Sequence, residues 1–196
     1  MSLHFERAEF GLRIKKLREL MAENELDGML LFRQESMYYL SGYDTFGYVF
    51  FQCLYLGLDG KHILLTRAPD LRQAENTSIL EDIRIWVDGP DSNPALQLKD
   101  ILRECACEGQ QLGVEYDSYG LTAKNGKLLD SALAGFCNLK DASNLVNRLR
   151  VVKSQQELGY VRKAAELADD ALDEAHKLVK AGCDEGELLA VMQGAV

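Results

Sequence analysis

Hydrophobic positions in the first 150 residues switch repeatedly between helical and strand spacing, and each switch delimits a short element. Phe10, Ile14, Leu17 and Met21 recur at intervals of four, three and four, with Arg13, Lys15, Lys16, Arg18 and Glu19 between them. This spacing predicts an amphipathic helix with one buried face. Residues 27–32 form a short apolar run that predicts a fully buried strand. Residues 38–47 are aromatic and glycine-rich, a poor helix whose glycines permit unusual backbone angles. Residues 49–58 and 61–66 read as two strands joined by Asp59-Gly60, which predicts a hairpin with a type I′ turn and positive φ at both positions.

Beyond the hairpin, residues 69–76 predict a short helix with Pro69 near its first turn, and residues 83–87 a strand. Pro94 can occupy the first position of a helix carrying Leu98, Ile101, Leu102 and Cys105 on one side. A strand over 112–116, a helix over 122–133 and a strand over 138–142 follow. The expected fold class is α/β, a mixed sheet of about six short strands flanked by helices.

After residue 147 the texture changes. Ser154 and Glu157 stand in the S-x-x-E spacing of a capping box. Leu158, Val161, Ala165, Ala168, Leu172, Ala175 and Val179 then form an apolar seam, with Gly182 expected to stop the helix. Asp184 and Glu187 repeat the capping spacing for a second helix bearing Leu188, Leu189 and Met192. This periodic segment runs to Val196 without a cap, so the chain reads as the front of something larger. The expected division is 1–146 and 147–196.

The formal charge of −9, without a Lys/Arg stripe, argues against nucleic acid or an anionic membrane as the main partner. No apolar run approaches the roughly 20 residues that a membrane span needs. Five cysteines include no C-x-x-C pair, and Cys105-Ala106-Cys107 has the wrong spacing for a zinc knuckle. They read as free thiols in a reducing compartment, hence a cytoplasmic protein. His4, His62 and His176 are scattered, so neither catalytic residues nor metal ligands are assigned. Asp169/Asp173 and Asp170/Glu174 at i, i+4 could in principle hold a hard cation, but they read as the solvated face opposite the seam.

Three segments carry a family resemblance: Met37-Tyr38-Tyr39-Leu40-Ser41-Gly42-Tyr43, Leu112-Gly113-Val114-Glu115, and Arg148-Leu149-Arg150-Val151-Val152-Lys153-Ser154 with Glu157-Leu158. In this order they resemble the creatinase/prolidase N-terminal domain joined to the first helices of a truncated pita-bread catalytic domain. The superfamily includes Xaa-Pro dipeptidases, aminopeptidase P, creatinase and ectoine hydrolase. The resemblance implies a parent C–N hydrolase, an Xaa-Pro dipeptidase- or aminopeptidase P-like metallopeptidase whose two divalent metal ions (Mn, Co or Zn) lie on ligands well downstream. It further implies a homodimer, a small peptide or small amide substrate, and a dimerisation and substrate-capping role for this chain, inactive alone. A metal-independent creatinase- or ectoine-hydrolase-like enzyme and a non-catalytic creatinase-like binding module remain alternatives.

In dimeric members, the N-terminal domain of one subunit leans over the active site of the other, and creatinases place a phenylalanine and an arginine there. By the local match around Phe46-Gly47-Tyr48, the resemblance implies that Phe46 and Tyr48 are substrate-binding. A tyrosine cannot replace a bidentate guanidinium, which argues against creatine as substrate. The competing reading is that Tyr38, Tyr39, Phe46 and Tyr48 fill the core beside the hairpin. Arg67, Asp70 and Arg72 read either as groups facing substrate or as a surface ion pair. Gly42-Tyr43-Asp44, with Tyr48-Val49 and Gln52-Cys53 further on, also resembles ectoine-hydrolase relatives.

Overall fold

The computed structural model describes residues 3–196. Its strands are β1 (Gly28–Leu31), β2 (Cys53–Gly57), β3 (His62–Arg67), β4 (Ile83–Trp86), β5 (Gln111–Val114) and β6 (Asn138–Asp141). Its helices are α1 (Arg7–Glu23), α2 (Gln34–Ser41), α3 (Leu71–Thr77), α4 (Pro94–Glu104), α5 (Ala123–Leu133), α6 (Leu145–Val151), α7 (Gln155–Leu178) and α8 (Glu185–Gly194). The strands form one mixed sheet in the order β4-β3-β2-β1-β5-β6. β2 is antiparallel to β1 and β3, whereas β1–β5, β5–β6 and β3–β4 are parallel.

Helices cover both faces of this sheet, so β1 and β2 are buried at every position and read as continuous apolar runs. Side-chain alternation divides the core in two. Leu30, Ile63 and Val114 join Leu98, Ile101 and Leu102 of α4 and Leu129 and Leu133 of α5. On the other face, Met29, Leu31, Leu54 and Leu64 meet Leu17 and Met21 of α1, Met37 and Leu40 of α2, and Val146 of α6. Arg13 joins the buried stripe of α1, while Ile14 is only partly buried. The Arg13 guanidinium lies 4.1 Å from the Phe5 ring centroid and 4.4 Å from that of Tyr39, and it donates to the Tyr39 carbonyl at 2.9 Å.

Three local expectations are corrected. The hairpin forms, but Asp59 keeps a negative φ and only Gly60, at φ 95°, is left-handed. Gly60 N–H donates to the Gly57 carbonyl and Gly57 N–H to the Lys61 carbonyl, the pattern of a type I turn followed by a glycine bulge. β2 begins at Cys53, because residues 49–52 belong to a loop held by side chains. Part of the stretch read as a poor helix is helical, since α2 spans Gln34–Ser41 and stops at left-handed Gly42. Glu115, distant in sequence, accepts the N–H groups of Phe32 and Arg33 at its start.

The chain divides into two compact units, Met1–Val151 and Val152–Val196. In the second, the Ser154–Glu157 capping box forms: Ser154 N–H donates to Glu157 Oε2 at 2.7 Å, and Glu157 N–H to Ser154 Oγ at 3.2 Å. Asp184 Oδ1 accepts the N–H groups of Gly186 and Glu187 at the start of α8. Helix α7 ends at Leu178 with Val179 extended, and Gly182 takes its positive φ later, in the turn. The expected stop at Gly182 is thus four residues late. The five cysteines are free thiols. Among the described residues, no helix is long and apolar enough to cross a membrane.

Candidate functional site

The loop between α2 and β2 begins at Gly42, where a Cβ would lie 2.8 Å from the Thr77 carbonyl oxygen. From there the chain alternates without belonging to a strand: Tyr43, Thr45 and Gly47 are buried, and Asp44, Phe46 and Tyr48 are exposed. Phe46 is 90% exposed and Tyr48 50%. Neither fills the core of this chain. Tyr39 does, at 7% exposure, while half-buried Tyr38 meets His4 Nδ1 through its hydroxyl at 2.6 Å.

The inward side of the loop ends on a polar cluster beneath it. Tyr43 donates its hydroxyl to Gln52 Oε1 at 2.5 Å, and Thr66 Oγ1 donates to the same oxygen at 2.9 Å. Burial pushes the Tyr43 hydroxyl up to about 12, against the opposing hydrogen bond of Thr66, so it stays a donor through the neutral range. With Gln52 Oε1 committed, its amide nitrogen faces the Gly47 carbonyl at 2.7 Å. Thr45 Oγ1 accepts Gly47 N–H at 2.9 Å and donates to Asp70 Oδ1 at 2.6 Å. Arg67 Nε donates to Asp70 Oδ2 at 3.2 Å, and its guanidinium lies 3.4 Å from the Phe50 ring centroid. The Arg67 and Asp70 side chains are only 14% and 6% exposed. This corrects the surface ion-pair reading for Arg67 and Asp70, whose pair lies beneath the loop. Arg67 also reaches exposed Asp88 at 3.8 Å, and Arg72 is exposed and outside the pair.

Phe46 and Tyr48 point into different cavities. Phe46 shares one of about 400 Å³ with Tyr38, Asp44, Arg72 and Thr77. Tyr48 shares another of about 750 Å³ with Arg33, Glu35, Tyr116, Asp117 and Tyr119. In the latter, the rings of Tyr48 and Tyr119 meet edge-on at 6.2 Å, and Arg33 Nη2 pairs with Asp117 Oδ2 at 2.9 Å. The cavity opens at the carboxyl ends of parallel β1 and β5, where the chain leaves β1 toward β2 but leaves β5 toward β6. Such reversals leave a crevice suited to ligands.

Glu115 lies fully buried behind this crevice. Its Oε1 accepts the Ser36 hydroxyl at 2.5 Å and its Oε2 the N–H groups of Phe32 and Arg33. Desolvation outweighs these bonds and raises its pKa to about 7. Sequence reasoning used Glu115 only as part of a family signature. A carboxylate ending a buried apolar strand was the available clue, since burial requires partners for it.

Among the described residues, no group of three or more His, Cys, Asp or Glu side chains could hold a metal ion. His4 binds Tyr38, and His62 Nδ1 lies 3.0 Å from the Gly60 carbonyl. The pair Asp170 and Glu174 is on an exposed face of α7, where Lys177 binds Glu174. The described residues do not fit a two-metal centre.

The family model describing the creatinase/prolidase N-terminal domain matches residues 13–152. The chain belongs to that family. Among curated relatives, it is 29% identical to ectoine hydrolase from Halomonas elongata over 97% of this chain and 49% of the relative. It is 25% identical to an Xaa-Pro dipeptidase from Pyrococcus horikoshii over 92% of this chain and 46% of the relative. A solved dipeptidase structure from P. horikoshii OT3 superposes with a TM-score of 0.74 at 22% identity, covering 94% of this chain and 49% of that one. The chain spans about half the length of the curated relatives it matches, and it resembles the N-terminal half of prolidase/creatinase-family hydrolases.

Proposed function

We propose that this chain is the substrate-capping and dimerisation portion of a C–N hydrolase, an Xaa-Pro dipeptidase- or aminopeptidase P-like metallopeptidase. Residues 1–146 form the capping domain, and residues 147–196 lead into a catalytic domain that supplies the metal ligands and the bond-breaking groups. The observation that carries this reading is the loop after α2: it holds Phe46 90% exposed above a buried polar cluster. Tyr48, Val49 and Phe50 of the same loop are exposed as well, at 50%, 46% and 41%, and a run of exposed apolar side chains supports a face that meets another surface. In a homodimer, that surface is the partner's active-site mouth, where Phe46 and Tyr48 contact a small peptide or amide substrate.

A metal-independent enzyme acting on a small ring amide is the second reading, supported by the 29% identity to ectoine hydrolase along nearly the whole chain. Metal analysis of the intact enzyme, with activity toward Xaa-Pro dipeptides and toward ectoine, separates the two. The capping role is tested by Phe46→Ala in the intact enzyme. The expected result is a changed KM or kcat with a nearly unchanged melting temperature. A large loss of stability with unchanged kinetics would overturn it. Residues 1–196 alone are expected not to hydrolyse Xaa-Pro dipeptides with Mn²⁺ or Co²⁺ present, and measurable turnover by a preparation free of intact enzyme refutes that.

A further inference from the structure

Building on the capping role just given to the loop, we propose that Thr45, Gln52 and Asp70 form a latch that fixes its outward face, making them positioning residues for Phe46 and Tyr48. The loop is not part of the sheet, and apart from a turn bond from Phe50 N–H to the Gly47 carbonyl at 3.0 Å, side chains hold its shape. They do so at one residue in particular, by holding the two peptide groups that flank its Cα. Gly47 N–H is bound by Thr45 Oγ1 at 2.9 Å and the Gly47 carbonyl by Gln52 Nε2 at 2.7 Å. Each of these side chains is itself fixed from below. Thr45 donates to buried Asp70, and Gln52 receives the hydroxyls of Tyr43 and Thr66. Because Oε1 of Gln52 accepts both hydroxyls, its amide has one orientation that leaves a donor for Gly47.

The fit at Gly47 has the same origin. A Cβ there would lie 2.7 Å from Asp70 Oδ2 and closer still to Gln52 Nε2, so only glycine lets the latch close. On either side of this clamped residue, alternation turns Phe46 and Tyr48 outward. Without the clamp, burial of the Phe46 ring favours collapsed loop shapes, since apolar surface leaves water at a gain. The latch makes the exposed arrangement the stable one. Asp70 also orients Arg67 over the Phe50 ring, tying the far end of the loop to the same carboxylate.

The test pairs amide hydrogen exchange with kinetics in the intact enzyme, using Gln52→Met, the nearly isosteric Thr45→Val, and Thr45→Ser as the variant that keeps the hydroxyl. Gln52→Met and Thr45→Val are expected to speed exchange at residues 46–50 about tenfold or more while the strand amides keep their protection. Thr45→Ser is expected to restore it. Both disruptive variants are expected to lower kcat/KM, yet Gln52→Met added to Phe46→Ala/Tyr48→Ala is expected to cost no more than about twofold further, because the latch acts through those two rings. If Gln52→Met also lowers strand protection, Thr45→Val decides. Unchanged exchange at 46–50 overturns the latch whatever the kinetics do. Faster exchange with a full extra loss in the triple variant overturns the positioning role. Faster exchange with no kinetic effect in the latch variants or in Phe46→Ala overturns the capping role while leaving the latch as a loop device.

Discussion

Glu115 Oε2 accepts the backbone N–H of Arg33 at 3.0 Å, so a carboxylate just beyond β5 caps the helix that follows β1. The two residues are 82 positions apart, and the bond joins neighbouring parallel strands at the rim of the larger cavity. Helix α2 begins with Arg33 as N-cap, which makes no side-chain cap bond of its own. The distant carboxylate accepts the N-cap N–H, the role that a glutamate at the third helical position plays in a capping box, and the residue at that position, Ser36, donates its hydroxyl to it.

This arrangement sets a pH dependence. Burial raises the Glu115 pKa from 4.5 to about 7, so between those values the folded chain holds a proton that the unfolded chain has lost. The contribution to stability is fully present below pH 4.5 and falls as pH rises through 7, by about 3 kcal/mol in all. Asp82 and Asp141 do not mask the trend. Arg84 and Ser143 hold their pKa values below the ordinary 3.8, so their contributions are lost only at more acidic pH. Thermal melts of the wild type are expected to shift downward from pH 5 to pH 8, and Glu115→Gln is expected to flatten most of that slope. An equal slope in the variant assigns the dependence elsewhere.

Whether an element was legible in the sequence depended on how locally it is determined. Helix α4 needs only its own stripe and the Asn93-Pro94 start, and Asn93 Oδ1 does accept Ala95 N–H. The hairpin was legible from Asp59-Gly60, although its turn type was not: the dipeptide allows a bulge as readily as two positive φ values. Helix α2 was hidden because its cap comes from Glu115. The start of β2 was hidden because Gln52, at the edge of an apolar run, is committed to Gly47 and Tyr43 rather than to a ladder. The resemblance pointed to Phe46 and Tyr48, but only the fold separates them into two cavities and supplies the carboxylate of Asp70 beneath them.

That separation has a kinetic consequence if both residues meet substrate. Phe46 and Tyr48 line different cavities with no lining residue in common, so within this chain nothing couples them except the loop and the substrate itself. The Phe46→Ala/Tyr48→Ala double variant of the intact enzyme is expected to lose kcat/KM by the product of the single losses, within about 0.5 kcal/mol. Strong non-additivity would mean that the two rings converge on one bound group after closure.

Gly42 ends α2 at φ 81°, and an added Cβ would lie 2.8 Å from the Thr77 carbonyl oxygen and 3.1 Å from the Phe10 ring. Backbone strain and a clash against backbone therefore act together. Gly42→Ala is expected to destabilise the first unit by about 2 kcal/mol or more. Gly89→Ala is a control, because its added Cβ meets nothing within 4 Å. Denaturant midpoints of the two variants check the contrast, and similar midpoints would remove the strain argument.

At the start of α7, two reciprocal bonds join Ser154 and Glu157, and the box satisfies donors that the helix cannot pair internally. Ser154→Ala removes the Oγ acceptor for Glu157 N–H and is expected to cost the helix about 1 kcal/mol. Glu157→Gln keeps an oxygen that can accept Ser154 N–H, so it is expected to cost clearly less, since glutamine serves at this position of a capping box. Glu157→Ala removes the reach back to Ser154 and is expected to fall nearer to Ser154→Ala. The effect is local, so amide exchange in the first turn of α7 should accelerate while α1 and the sheet keep their protection. If Glu157→Gln proves as damaging as Ser154→Ala, the carboxylate's charge at the helix N-terminus, rather than the paired geometry, carries the stabilisation.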